Sequence, residues 1–307
     1  MILLALFFIL TYICYRETFY FNKNKKKKIK LPGSEQYDLL KDELSALYNE
    51  LKEIPYEKVT ITSYDNIKLT AKYYHVNDNA PLQIQFHGYK GSGRRDFCGG
   101  NKLAREAGFN TLLVDQRAHG GSESKTITFG IKERLDCKQW IDYANKRFGN
   151  IPIILAGVSM GAATILMASN LDLPQNVIGI IADSPYNSPK EIICKVCKDR
   201  KIPPKLAYPL IKAAAFIYGH FNLSKTSCSE AVKNIKIPVL IIHGEDDRFV
   251  SCYMSEKIAE ANPLVRRYTF ENAGHGLSYL VDTKRYENIV NEFIIECKKS
   301  YENGKEK

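Results

Sequence analysis

The residues best suited to chemistry lie in the pentapeptide Gly157-Val158-Ser159-Met160-Gly161. A serine hydroxyl is a weak nucleophile at neutral pH and needs a base to take its proton. With ordinary glycine and serine usage, about one chain in ten of this length carries such a pentapeptide by accident, so its surroundings matter more than its letters. An apolar strand-like run over 151–156 ends just before it, and a helical pattern over 160–168 begins just after it. That strand–turn–helix arrangement is what presents a serine above a sheet. The glycines let helix and neighbouring strand approach closely, and the positive end of the helix dipole points at the hydroxyl.

Six histidines compete to be the base: His75, His87, His119, His220, His243 and His275. His75, His87 and His119 lie before the serine, at strand ends or in early loops. His220 falls in a helical insertion, and His243 ends a strand. His275 alone sits in a glycine-flanked loop after the last strand (Asn272-Ala273-Gly274-His275-Gly276), where it can reach back over the strand ends toward Ser159. His87 is expected to shape its loop rather than react. The base needs a carboxylate to fix its tautomer and stabilise its charged form. Glu245, Asp246 and Asp247 follow one strand and Asp183 ends another, and spacing alone does not choose among them. A developing oxyanion needs two backbone N–H groups, expected from Met160 and from Tyr89 in the loop Phe86-His87-Gly88-Tyr89-Lys90-Gly91-Ser92.

The rest of the chain must hold these groups in place. Strands are predicted over 58–63, 67–74, 82–86, 111–115, 151–156, 177–182, 239–243 and 268–271. Helices are predicted over 34–54, 94–107, 131–147, 160–168, 253–261 and 284–298. Strand and helix alternate, which implies an α/β fold with a mostly parallel sheet covered on both faces, with reactive groups at the carboxyl ends of the strands. Between 182 and 239 the rhythm breaks. More than fifty residues with helical pattern over 191–201, 206–218 and 229–235 read as a cap insertion at about 187–235. Its Tyr208, Phe216, Tyr218 and Phe221 are candidates either for lining a substrate pocket or for packing the cap onto the domain. The loop from Asp115 to Ser122 is expected to be a hydrogen-bonded scaffold.

Charge and composition narrow the function classes. The chain carries 44 basic and 34 acidic residues, a net charge of +10. Lys23, Lys25, Lys26, Lys27, Lys28 and Lys30 supply six of those charges within one short run, so the remainder is nearly balanced. A nucleic-acid binder spreads its basic residues over a folded face, and none is expected as a partner here. The run follows an apolar stretch, 1–21, read as an uncleaved N-terminal transmembrane anchor, because no basic residues precede it and no small-residue cleavage site follows. The positive-inside rule puts the lysine side in the cytoplasm and near anionic headgroups. The expected layout is an anchor over 1–21, a basic linker over 22–33 and a catalytic domain over 34–307. Eight scattered cysteines point to free thiols. Cys194 and Cys197 have no second pair with which to make a metal site, and Gly91-Ser92-Gly93 lacks a dinucleotide-binding context. No metal or cofactor is expected.

Several pieces in this order resemble a known family: Phe86-His87-Gly88, Asp115-Gln116-Arg117-Ala118-His119-Gly120-Gly121-Ser122, the serine pentapeptide, Ala182-Asp183-Ser184-Pro185-Tyr186, His243-Gly244-Glu245-Asp246-Asp247-Arg248-Phe249-Val250, and Ala273-Gly274-His275. Together, over about 56–299, they resemble the α/β-hydrolases, in particular a membrane-anchored group related to serine aminopeptidases and monoacylglycerol-lipase-like enzymes. The resemblance implies the α/β-hydrolase fold. Its H-G-x-x-D-x-x-V pattern, counted from His243, puts the acid at Asp247, leaving Asp183 a structural role. It also implies a serine hydrolase with the triad Ser159, Asp247 and His275, backbone oxyanion donors at Tyr89 and Met160, and a small-molecule or acyl-lipid substrate. Esters and thioesters lead, an aminopeptidase-type amidase is the alternative, and a silent binding fold is disfavoured by the complete triad.

Overall fold

The computed structural model describes residues 1–23 and 34–305. Its strands are β1 (Glu57–Thr62), β2 (Lys68–Tyr74), β3 (Leu82–Phe86), β4 (Asn110–Asp115), β5 (Ile153–Val158), β6 (Val177–Asp183), β7 (Val239–Gly244) and β8 (Val265–Phe270). They form one sheet in the order β1-β2-β4-β3-β5-β6-β7-β8. β1 and β2 pair antiparallel, as do β2 and β4, and every later pair is parallel. The inner strands β4, β6 and β7 are buried along their whole length, as expected of a parallel sheet covered on both faces.

The helices are α1 (Ile2–Thr18), α2 (Ser34–Leu39), α3 (Lys41–Glu53), α4 (Gly93–Asp96), α5 (Cys98–Glu106), α6 (Glu133–Phe148), α7 (Met160–Ala168), α8 (Pro189–Asp199), α9 (Pro204–Ile217), α10 (Cys228–Val232), α11 (Tyr253–Ala259), α12 (Ser278–Val281) and α13 (Thr283–Lys305). Successive strand residues point to opposite faces, and two cores result. Leu155, Ile180 and Ile241 face α6, α7, α11 and the cap helices α8 to α10. Ile154, Ile181 and Ile242 face α3, α5 and α13. The expected cap insertion is thus helical, and its starts are marked by side chains that cap them. Ser188 accepts the Glu191 N–H ahead of Pro189, and Ser227 accepts the Glu230 N–H.

Some predicted elements move. The helix predicted over 34–54 breaks at Leu40 into α2 and α3. The strand predicted over 151–156 runs instead from Ile153 to Val158, directly against the serine. β8 starts at Val265 rather than Tyr268. Arg266 and Arg267 hide its start in the sequence, yet Arg266 pairs with Glu296 at 2.7 Å and Arg267 donates to the Ser255 hydroxyl.

The N-terminal segment differs most from expectation. α1 spans 17 residues, about 26 Å at ~1.5 Å per residue, short of the ~30 Å hydrocarbon core. No helix among the described residues is long and apolar enough to cross a membrane, so the expected transmembrane anchor is not supported. Its C-terminal half instead docks on the domain. Tyr15 and Tyr12 pack their rings against Tyr218 of the cap. Phe19 is fully buried between Phe129 and Phe221, and Tyr20 bridges Thr126 as a further strand-like contact. The packed body therefore reaches back to Phe19, ahead of the expected domain start at 34. Lys23 donates to the Ser122 carbonyl. The remaining lysines of the run, and the linker over 24–33, lie outside the described residues.

Candidate active site

Ser159 sits between β5 and α7 with φ 57° and ψ −116°, a left-handed conformation that a non-glycine residue adopts only when its surroundings force it. Both flanking glycines are part of that force. A Cβ on Gly157 would lie 2.5 Å from the Ala162 nitrogen, and one on Gly161 would lie 1.8 Å from the Phe86 carbonyl oxygen. The Ser159 N–H donates to the Asp183 carbonyl at the end of β6, so the turn is tied to the neighbouring strand.

The other two predicted residues arrive from two loops that are stitched together. Asp247 lies in the turn after β7, and His275 in the loop after β8. The Asp246 N–H donates to the Ala273 carbonyl and the Glu245 N–H to the Phe270 carbonyl. Gly244 makes room for that crossing, because a Cβ there would lie 2.2 Å from the Ala273 oxygen. Ser159 Oγ lies 2.9 Å from His275 Nε2, and His275 Nδ1 lies 2.7 Å from Asp247 Oδ2. All three residues are buried. Of the competing acids, Glu245 accepts from Thr269 Oγ1. Asp183 accepts from the Ser184 hydroxyl and from Tyr286 OH. Neither is bonded to His275.

The electrostatics follow from this geometry. Burial on its own would raise the Asp247 carboxyl. The adjoining His275 and His243 outweigh burial and hold it well below the usual carboxylate range. Its Oδ1 also accepts the N–H groups of Phe249 and Val250. Burial on its own would lower His275, but the Asp247 charge and hydrogen bond raise it above its ordinary value. With Asp247 ionised, Nδ1–H donates to it and Nε2 is left to accept the Ser159 proton. As a general base His275 would accept that proton only when itself neutral, so an activity that uses it is expected to fall as pH drops through its raised pKa. In Asp247→Asn the acid limb of the kcat/KM profile is expected to move to lower pH. The same change should lower kcat on the order of 10⁴-fold, because an amide does not fix the required tautomer. An acid limb at the wild-type position in this variant counts against the coupling.

The first βα loop is held by neutral histidines, as expected of His87. Gln116 N–H donates to His87 Nε2, and His87 Nδ1 faces the Gly88 carbonyl. Lys90 N–H donates to His119 Nε2, whose Nδ1 faces the Arg117 carbonyl. Burial keeps both rings below their ordinary pKa. Arg117 in turn makes a two-pronged pair with buried Asp136, both contacts at 2.7 Å, so the 115–122 loop is the scaffold expected of it. These bonds carry Gly88 alongside Ser159, where a Cβ would meet the Ser159 Cβ at 3.4 Å. The Tyr89 backbone follows directly, and Met160 opens α7 on the other side.

Four contacts were not anticipated. His243 Nε2 lies 3.1 Å from Asp247 Oδ2, so the acid has two imidazole neighbours. The His243/Asp247 spacing within one motif was the available signal. Ser184 accepts the Gly276 N–H and braces the His275 loop. Tyr37 of α2 donates to the His275 carbonyl. Asp96 accepts the Gly88 N–H and pairs with Arg95. These three join residues far apart in sequence, and no local pattern announces them.

A cleft of about 290 Å³ opens beside Ser159, Tyr89 and His275 and continues on the sheet face covered by α3, α5 and α13. Tyr208, Phe216, Tyr218 and Phe221 of the cap are not among the described residues that line it. Phe221 packs on Phe19, Tyr218 on α1 and Tyr208 against the core, as the packing reading has it, whereas Phe216 is exposed and does neither.

Two family descriptions match the chain: "Serine aminopeptidase, S33" over residues 82–204 and "Dienelactone hydrolase family" over 204–292. Among curated proteins, the uncharacterized protein YqkD of Bacillus subtilis is 27% identical over 62% of this chain and 64% of its own length. The lysophosphatidylserine lipase ABHD12 of Danio rerio is 24% identical over 63% of this chain and 52% of its own. The chain thus spans less than two thirds of the length of these relatives. Among solved structures, Pyrococcus furiosus esterase Pf2001 superposes with a TM-score of 0.64 at 25% identity, covering 83% of this chain and 93% of that one.

Proposed function

Because the chain belongs to the α/β-hydrolase superfamily, we propose that it hydrolyses carboxylic esters or thioesters through an acyl-enzyme on Ser159. The observation that carries this reading is the unbroken chain of contacts from Ser159 Oγ through His275 to Asp247, at the mouth of a cleft. His275 takes the hydroxyl proton as Oγ bonds to the acyl carbon, and the negative charge moves to the carbonyl oxygen. The backbone N–H groups of Tyr89 and Met160 face that oxygen, with the N-terminus of α7 behind it. His275 then protonates the departing alkoxide or thiolate. Water, giving a proton to the same ring, bonds to the acyl carbon; the acyl–Oγ bond breaks, the ring returns the proton to Ser159 Oγ, and the acid leaves.

Carboxylates beside the triad bear on the choice between ester and aminoacyl amide. An amine-recognising site wants an uncommitted acid. Of the acids that line the cleft, Asp96 is occupied by the Gly88 N–H and Arg95, Asp183 by Ser184 and Tyr286, and Asp38 of α2 is exposed to solvent. The commitment of Asp96 and Asp183 supports the ester reading, as do the similarities to a zebrafish lipase and an archaeal esterase. A fluorophosphonate should label the wild type stoichiometrically, with the modified peptide containing Ser159. Labelling elsewhere, or none in a folded sample, overturns the reading.

A further inference from the structure

We propose that the cleft is an acyl-chain subsite for medium-length alkyl chains, walled by the N-terminal helix α3 rather than by the cap. This rests on the acyl-enzyme reading above and assigns the side of Ser159 on which the chain lies. The argument begins with direction. The cleft is lined by Val158 and Ala156 of β5 and by Ile181 and Asp183 of β6. Residues two apart share a face of a strand, so the cleft descends from the nucleophile along one face of the sheet. From Ser159 to Ala156 is three residues, about 10 Å at ~3.3 Å each, comparable to a medium alkyl chain. The face is the one opposite the cap, because Ala156 and Ile181 belong to the core shared with α3, α5 and α13.

The wall chemistry selects the occupant. Leu44 and Leu47 of α3, Leu103 of α5, Ile181, and Val290 and Ile294 of α13 surround the cleft. These are aliphatic side chains that offer no hydrogen bond, and each methylene buried among such groups is worth about fourfold in binding. Of the polar groups that line the cleft, Tyr286 donates to Asp183, Arg95 pairs with Asp96, Tyr37 donates to the His275 carbonyl, and Gln83 accepts from Gln85 behind it. α3 stands on the path because α2 is pinned to the catalytic loop. Tyr37 donates to the His275 carbonyl, and the Gln36 side chain lies against Gly274. Both helices precede residue 82, where the family match begins. Leu44 and Leu47 therefore lie outside the stretches that match the families, whereas Leu103, Ile181 and Val290 lie within them.

The test compares p-nitrophenyl octanoate with the acetate, using the full chain. Leu47→Trp and Leu44→Trp should each lower the octanoate-to-acetate ratio of kcat/KM at least about tenfold, since both fill the wall. Phe216→Ala, an exposed cap residue, should leave the ratio within about twofold. The ratio is insensitive to loss of folded protein, and two partly exposed positions guard against one misfolding. An unmoved ratio in both tryptophan variants, or a shift in Phe216→Ala alone, overturns the proposal. Octanoate binding to Ser159→Ala by calorimetry separates this proposal from the acyl-enzyme reading. Binding that Leu47→Trp abolishes supports the subsite even if no ester is turned over, and absence of binding counts against it even if esters are cleaved.

Discussion

Ser159→Ala is expected to lower kcat for an activated ester on the order of 10⁴- to 10⁶-fold, and adding His275→Ala should cost little more. In the proposed mechanism the two residues act as a unit: the ring 2.9 Å from Oγ takes the hydroxyl proton and returns it to the leaving group. Removing either partner disables the same step, and effects within such a unit do not add. What survives is the background from substrate binding and oxyanion contacts. The substitution is also a clean one. Alanine meets the same strained backbone at φ 57° as serine does, so the thermal midpoint should stay near that of the wild type. Steady-state rates on p-nitrophenyl esters, read beside melting curves, check both statements. A single variant that loses less than about a hundredfold would remove Ser159 from the nucleophile's role.

Gly161→Ala should be the most damaging single methyl group in the molecule. The added Cβ would lie 1.8 Å from the Phe86 oxygen, 2.4 Å from the Phe86 carbon and 2.7 Å from the His87 oxygen. All three are backbone atoms, so no rotamer change relieves the clash. β3 cannot retreat, because it is hydrogen-bonded to β4 on one side and β5 on the other. α7 cannot retreat without leaving a core in which every one of its residues is buried. A loss of about 4 kcal/mol or more is expected, seen as a melting point lowered on the order of 10 °C or as failure to accumulate soluble protein. Gly100→Ala is the control: its nearest neighbour is the Phe97 ring at 3.2 Å, a side chain with room to turn. A Gly161→Ala protein that melts within about 3 °C of the wild type would mean that the helix does not sit against β3 as described.

The legible parts of this molecule were those encoded by short-range pattern. Strand–helix alternation, the glycines around Ser159, and the order of serine, acid and histidine all express local geometry, and the residues named from them do converge in space. Asp247 required a family pattern because Glu245, Asp246 and Asp247 are alike in type and adjacent in chain. Only burial and the reach of His275 distinguish them. The bracing by Tyr37, Ser184 and Asp96 was illegible for a different reason. Each depends on where one element comes to rest against another, and neither partner looks unusual in its own stretch of sequence. The transmembrane reading of 1–21 is left without support at the same level. Hydropathy registers that α1 is apolar, but not that Phe19 has a place waiting for it between Phe129 and Phe221.

That buried phenylalanine changes what α1 is mechanically. A helix joined through a loose stretch would let the hydrolase body swing freely about its attachment. Here Phe19 is locked into the core, and Tyr15 OH meets the Thr126 hydroxyl at 2.6 Å. Tyr89 OH, on the loop beside Ser159, donates to the Thr18 carbonyl at 2.8 Å. The helix is thus a rigid mount and the body cannot pivot on it. Any surface that receives the exposed apolar side of α1 also fixes the height and tilt at which the mouth of the cleft meets its substrate.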